Sequence, residues 1–370
     1  MRLKSVFRQS TAVLALGTAM AGFAAVPATA DILQLYDGYF YQTTADTSGQ
    51  VFGVAARNRA DAVPVAGGVT AQASDWNQTA AQIANVSGGD GSGATIAVID
   101  SGIDLDLAEF AGRVLTGACF GSGSLCATAD NLIGGDGGIA PTNPTHGTFV
   151  SSVAAGATVG VAPGAWILPV RVCNTTSLSC PGDVYAGVAW AADQGADIIN
   201  LSLGSAFNNF SALAALRGAI ADGALIVTSA GNGGSRRTTS GSPSGLALEQ
   251  GIIGGMIVAG ATGLNNQLAS FSETPGTFCK ISGTSRVCLR DYFVVAPGQG
   301  VVAIGGGGFT TPIDGTSFAS PYTAGVAALV KGNAPWLTNF EVADIIFSTA
   351  IDLGAVGSDR VFGQIGRAHV

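Results

Sequence analysis

Splitting an unactivated amide without a metal takes a nucleophile, a base to receive its proton, a carboxylate to orient the base, and donors for the oxyanion. Histidine limits the search for such a set, because the 370-residue chain holds only His146 and His369. His369 is the penultimate residue, which leaves His146 as the candidate base. It sits in T-H-G-T-F-V-S-S-V-A-A-G, where Thr145 can cap a helix, Gly147 keeps space beside the ring, and Val150, Val153 and Ala154 form an inward face. Asp100 closes the apolar run A-V-I-D just before Ser101-Gly102, where a strand end can hold its carboxylate against an imidazole. Asp104 and Asp106 follow closely and read as solvated loop carboxylates, with an ion site as the alternative. Ser317, in D-G-T-S-F-A-S-P-Y-T-A-G, opens a helical stretch. A serine there is ordinarily an N-cap, yet free N–H groups and the positive dipole end of a helix also favour developing negative charge. Pro321 reads as lying early enough in that helix to need no N–H partner. Asn232 lies in S-A-G-N-G-G after an apolar run; such a sequence alone is most often a turn, but its amide can serve as an oxyanion donor.

The elements that must position these residues follow from pattern. Short apolar runs at 95–100, 167–172, 197–201 and 225–229 read as buried strands. Helical patterns at 184–194 and 212–221 alternate with them, and 317–330 and 339–349 close the domain. Alternation of this kind predicts an α/β fold: three layers, doubly wound, with a mostly parallel sheet and helices on both faces. Ligands then bind outside the carboxyl ends of the strands, where Asp100 and Asn232 both fall.

Composition narrows the possible roles. Charged residues are only 11% and glycines number 55, which suits a compact fold with many tight turns. A net charge of −8 without a Lys/Arg cluster argues against a nucleic-acid partner. Residues 1–30 read as a secretory signal, with Arg2, Lys4 and Arg8, an apolar stretch at 11–25, and the small-residue site Ala28-Thr29-Ala30. An uncleaved anchor is the alternative; beyond it no stretch is apolar and long enough for a bilayer span. Residues 31–70 read as an N-terminal arm or short pro-region, and 71–363 as the main domain. The six cysteines form close pairs, Cys119 with Cys126, Cys173 with Cys180 and Cys279 with Cys288, which in an exported chain point to local disulfides. Zinc is the competing reading, but no C-x-x-C pair or nearby histidine completes a site.

The blocks A-V-I-D-S-G-I-D, T-H-G-T-F-V, S-A-G-N and D-G-T-S-F-A-S-P, in the order Asp, His, Ser, resemble those of the subtilisin-like serine proteases. The resemblance runs from about residue 76 to 363 and includes G-V-A-P-G-A and I-N-L-S-L-G; Phe149 and Phe318 replace a histidine and a methionine of the family blocks. It implies a secreted endopeptidase acting on polypeptides, with Asp100, His146 and Ser317 as triad and Asn232 with the Ser317 N–H as oxyanion donors. It further implies that Ser202, Leu203 and Gly204 form an extended edge pairing with substrate backbone. Ser229, Ala230 and Gly231 would line the first specificity pocket, whose small residues favour apolar or aromatic side chains. No cofactor is implied, and no metal: the loop through which many relatives bind calcium after the histidine helix is absent, since Ala155 runs almost directly to Val161. A catalytically silent surface or adhesion domain on the same fold is the alternative, whereas an esterase of the α/β-hydrolase kind fails for want of a G-x-S-x-G elbow around Ser317. Residues 364–370 read as a sequencing-artefact tail, since 365–370 match a translated adapter. Glycine-rich exported chains of this kind also resemble autotransporter passengers, which implies an outer-membrane barrel beyond this sequence.

Overall fold

Strands buried on both faces need mostly apolar runs, and the chain supplies them in β1 (Thr95–Asp100), β3 (Trp166–Arg171), β4 (Ile198–Leu201), β5 (Leu225–Ser229), β6 (Met256–Thr262) and β9 (Phe293–Pro297). With the two-residue β2 (Ala118–Cys119) they make a parallel sheet in the order β2-β3-β1-β4-β5-β6-β9. The computed structural model describes residues 89–121, 126, 146–173, 180, 182–203, 210–234, 243–264, 266–282 and 284–363. The expected signal, arm and C-terminal tail lie outside the described residues, as do Thr145 and Gly204.

Helices α1 (His146–Ala155) and α5 (Thr316–Asn333) pack on each other and on one face of the sheet. Helices α2 (Val184–Asp193) and α3 (Phe210–Ala221) pack together on the other, giving the three layers expected from the alternation. A single turn, α4 (Pro243–Leu246), precedes β6. Local chemistry sets the helix starts. The Asp183 carboxylate accepts from the Tyr185 and Ala186 N–H groups at α2, and Thr338 with Glu341 forms a capping box at α6 (Asn339–Thr349). The strand order reverses at β1: the chain passes first to β2 and β3 on one side, then to β4 on the other. That switch point is where a ligand crevice opens in such sheets.

Two antiparallel hairpins stand outside the main sheet. The first joins β7 (Cys279–Ser282) to β8 (Ser285–Cys288), and its disulfide links the directly opposed pair Cys279 and Cys288. The second joins β10 (Val301–Ile304) to β11 (Thr310–Ile313) and leads into α5. Cys119 is bonded to Cys126 and Cys173 to Cys180, so all three local pairings stand. No helix among the described residues is long and apolar enough to cross a membrane.

Candidate active site

Asp100 ends β1 and His146 begins α1, and the two meet because the helix start comes unusually close to the strand end. A Cβ on Gly147 would lie 2.1 Å from the Gly102 carbonyl oxygen, so only glycine permits the approach. The junction is also stitched by the Gly147 N–H, which donates to Ser101 Oγ at 2.9 Å, and thereby satisfies an early helix donor. Asp100 is 1% exposed. Its Oδ1 accepts from the Ser101 N–H at 2.7 Å, and His146 Nδ1 lies 3.0 and 2.9 Å from Oδ1 and Oδ2. Against a carboxylate only an Nδ1–H tautomer donates, which leaves Nε2 as the acceptor on the open side of the ring. Burial works to lower the His146 pKa, but the charge and hydrogen bond of Asp100 outweigh it and hold the ring above the ordinary imidazole value.

Ser317 is the second residue of α5 and is half-buried. Its neighbour Phe318 sets its ring 5.6 Å from the His146 ring, which brings the hydroxyl-bearing turn beside the base. Ser317 Oγ donates to the Ser202 carbonyl at 3.3 Å. Ser202, expected as substrate edge, is itself 3% exposed, and its Oγ turns inward to donate to the Ser317 carbonyl at 2.8 Å. Pro321 departs from expectation: it is the sixth residue of α5, past the first turn, so its missing N–H does leave a helix carbonyl without its usual partner.

Asn232 is exposed just beyond β5. Its Oδ1 accepts from both the N–H and the Oγ1 of Thr316, each at 2.9 Å, and Thr316 Oγ1 accepts from the Gly231 N–H at 3.1 Å. Because the Thr316 N–H can only donate, the amide oxygen must face it and Nδ2 must point away, ready to donate elsewhere. Thr316 is thus the residue that orients Asn232, and no motif reading singled it out.

Leu203, Ser229 and Ala230 are buried beside this region, and Gly231, with φ of +118°, takes a conformation suited to glycine. A Cβ on Gly231 would lie 2.8 Å from the Glu273 carboxylate, a neighbour that the run of small residues does not announce. Asp104 is more engaged than a solvated loop carboxylate: its oxygens accept from the Gly307 N–H at 2.7 Å and the Asp106 N–H at 3.1 Å, and its own N–H donates to Thr148 Oγ1 at 3.0 Å. At the other end of α1 the turn after Ala155 closes on Glu109. That carboxylate accepts from the Thr158 N–H at 2.9 Å, Thr158 Oγ1 at 2.7 Å and the Val159 N–H at 3.2 Å.

Residues 91–364 match the model of the subtilase family. Alkaline elastase YaB of Bacillus sp. (strain YaB) is 32% identical over 77% of this chain and 67% of its own length. Subtilisin DY of Bacillus licheniformis is 30% identical over 71% of this chain and 86% of its own. Among solved structures, a cold-adapted subtilisin-like serine proteinase superposes with a TM-score of 0.56 at 26% identity, over 76% of this chain and 92% of that one. Sphericase gives 0.59 at 27%, over 75% and 92%. Matched over most of its length by sequence and by fold, the chain belongs to the subtilase family of serine peptidases.

Proposed function

We propose that the chain is a secreted serine endopeptidase whose triad is Asp100, His146 and Ser317. The observation that carries this reading is the pairing of a buried Asp100 carboxylate with His146 Nδ1 at 2.9 Å, beside the helix turn that bears Ser317. His146 Nε2 takes the Ser317 proton as Oγ attacks the scissile carbonyl, and Asp100 stabilises the imidazolium that forms. Asn232 Nδ2 and the Ser317 N–H hold the oxyanion. The tetrahedral adduct collapses as His146 returns the proton to the leaving amine, and water, deprotonated by the same ring, releases the acyl group. Export is supported by the basic, apolar and small-residue order of residues 1–30 and by three disulfides.

The test pairs hydrolysis of a peptide amide with labelling by a phosphonylating fluoride. The expected result is one label at Ser317 with complete loss of activity. Ser317→Ala should lower kcat by the scale known for subtilisin itself, on the order of 10⁶-fold. Undiminished hydrolysis by Ser317→Ala would sink the reading, and absence of hydrolysis and labelling in the unaltered protein would favour a catalytically silent domain.

A further inference from the structure

In an α-helix the carbonyl of residue i accepts from the N–H of residue i+4. For Ser317 that residue is Pro321, which has no N–H to give. The donor comes instead from outside the helix, as Ser202 Oγ reaches the Ser317 carbonyl at 2.8 Å across a separation of 115 residues. The aim of that hydroxyl is itself determined. Asn200 Nδ2 donates to Ser202 Oγ at 3.0 Å, which leaves the serine proton directed at Ser317. Asn200 is held in turn by Ser320 Oγ, which donates to its Oδ1 at 2.7 Å. Asn200 and Ser320 are fully buried and Ser202 nearly so.

We propose that the Ser202 hydroxyl is a positioning residue for the nucleophile, standing in for the N–H that Pro321 removes. The carbonyl it holds belongs to the peptide joining Ser317 to Phe318. Fixing that peptide fixes the first turn of α5, and with it the direction of Ser317 Oγ and the seat of the Phe318 ring beside His146. The Ser202 backbone carbonyl, which accepts from Ser317 Oγ at 3.3 Å, is a separate contact that a side-chain change leaves in place. The inference rests on Ser317 being the nucleophile.

A double-mutant cycle tests it, because Pro321→Ala restores the missing N–H and makes the hydroxyl redundant. Kinetics on a peptide amide and the rate of Ser317 phosphonylation are read for S202A, P321A and S202A/P321A. Ser202→Ala should lower kcat and the phosphonylation rate together by about ten-fold or more, with KM within about two-fold, since substrate pairing uses backbone. S202A/P321A should return to within about three-fold of P321A. If S202A does not accumulate as folded protein, that last comparison alone decides, and a gap of about ten-fold between the two overturns the proposal. So does an S202A variant with kcat within about two-fold of the unaltered enzyme. Unaltered protein that takes no label at Ser317 would instead refute the nucleophile assignment.

Discussion

Two buried carboxylates serve the two ends of α1, and they differ in what they face. Asp100 and Glu109 are 1% and 6% exposed, and both accept backbone N–H bonds. Each approach depends on a glycine of or next to the helix: a Cβ on Gly147 would strike the Gly102 carbonyl, and one on Gly156 would lie 2.3 Å from Glu109 Oε1. The Glu109 carboxylate takes its hydrogen bonds from Thr158 and Val159, with the charge of the fixed Arg113 guanidinium nearby, whereas Asp100 meets an imidazole that can gain and lose a proton. Burial and hydrogen bonding of a carboxylate are therefore no mark of chemistry. A titrating partner is what separates the end of the helix proposed to react from the end that is closed by neutral donors.

An amide at each position breaks the comparison most sharply. Asp100→Asn should leave the fold intact yet lower kcat by about 10⁴-fold, the scale known for subtilisin's own aspartate, because the amide no longer fixes the Nδ1–H tautomer. Steady-state kinetics and circular dichroism check the two halves of that statement. A second expectation concerns pH. His146 must be neutral to act as base, and Asp100 holds its pKa above the ordinary imidazole value. Log kcat/KM should therefore climb with slope near one through that raised pKa, falling about ten-fold per unit below it. Stability runs the other way: the gain from the ion pair is complete below the unfolded imidazole value and is lost as pH rises through the folded one. Asp100→Asn should move the activity midpoint down, and a midpoint that stays put would detach the shift from Asp100. The smallest effects belong to Glu109. Glu109→Ala should cost about 1–3 kcal/mol in denaturant unfolding, since the Thr158 and Val159 N–H groups lose their acceptor, with kcat/KM unchanged. Glu109→Gln should recover most of that, because its amide oxygen can still take both N–H groups. An amide that is harmless at 109 and ruinous at 100 is the outcome that upholds the contrast.

Much of this architecture is legible where a local pattern and a tertiary need coincide. β1 and β5 fall at the apolar runs that mark them, and α6 spans the stretch expected of it, because burial on two faces and a capping box both write themselves into adjacent residues. β6 and β9 complete the sheet without having been anticipated. Met256–Thr262 is diluted by Gly260, and Phe293–Pro297 ends in a proline, so neither announces a strand as plainly. At the site, the four motif residues are readable because each needs its immediate neighbours. Their supports are not: Thr316 orients a side chain 84 positions away, Ser202 serves a carbonyl 115 away, and Glu109 closes a turn 49 away. Nothing in the chain beside a threonine, serine or glutamate records a partner that distant. Pro321 could have given a signal, since a proline inside a helix obliges some outside donor to exist, but only once the helix start at Thr316 is known.

The three disulfides carry a consequence for the protein's survival among molecules of its own kind. They join cysteines only seven, seven and nine positions apart in sequence, with the bonded Cα atoms 5.8, 3.8 and 3.9 Å apart. A peptide that adds itself as a strand to an enzyme's edge must extend by about 3.3 Å per residue, so a loop of that length would need its ends roughly 20 Å or more apart. Crosslinked at the base, these loops cannot be drawn out into another molecule's cleft without breaking a covalent bond. The bridges thereby make the three segments they close poor substrates for the autolysis to which a serine peptidase is exposed.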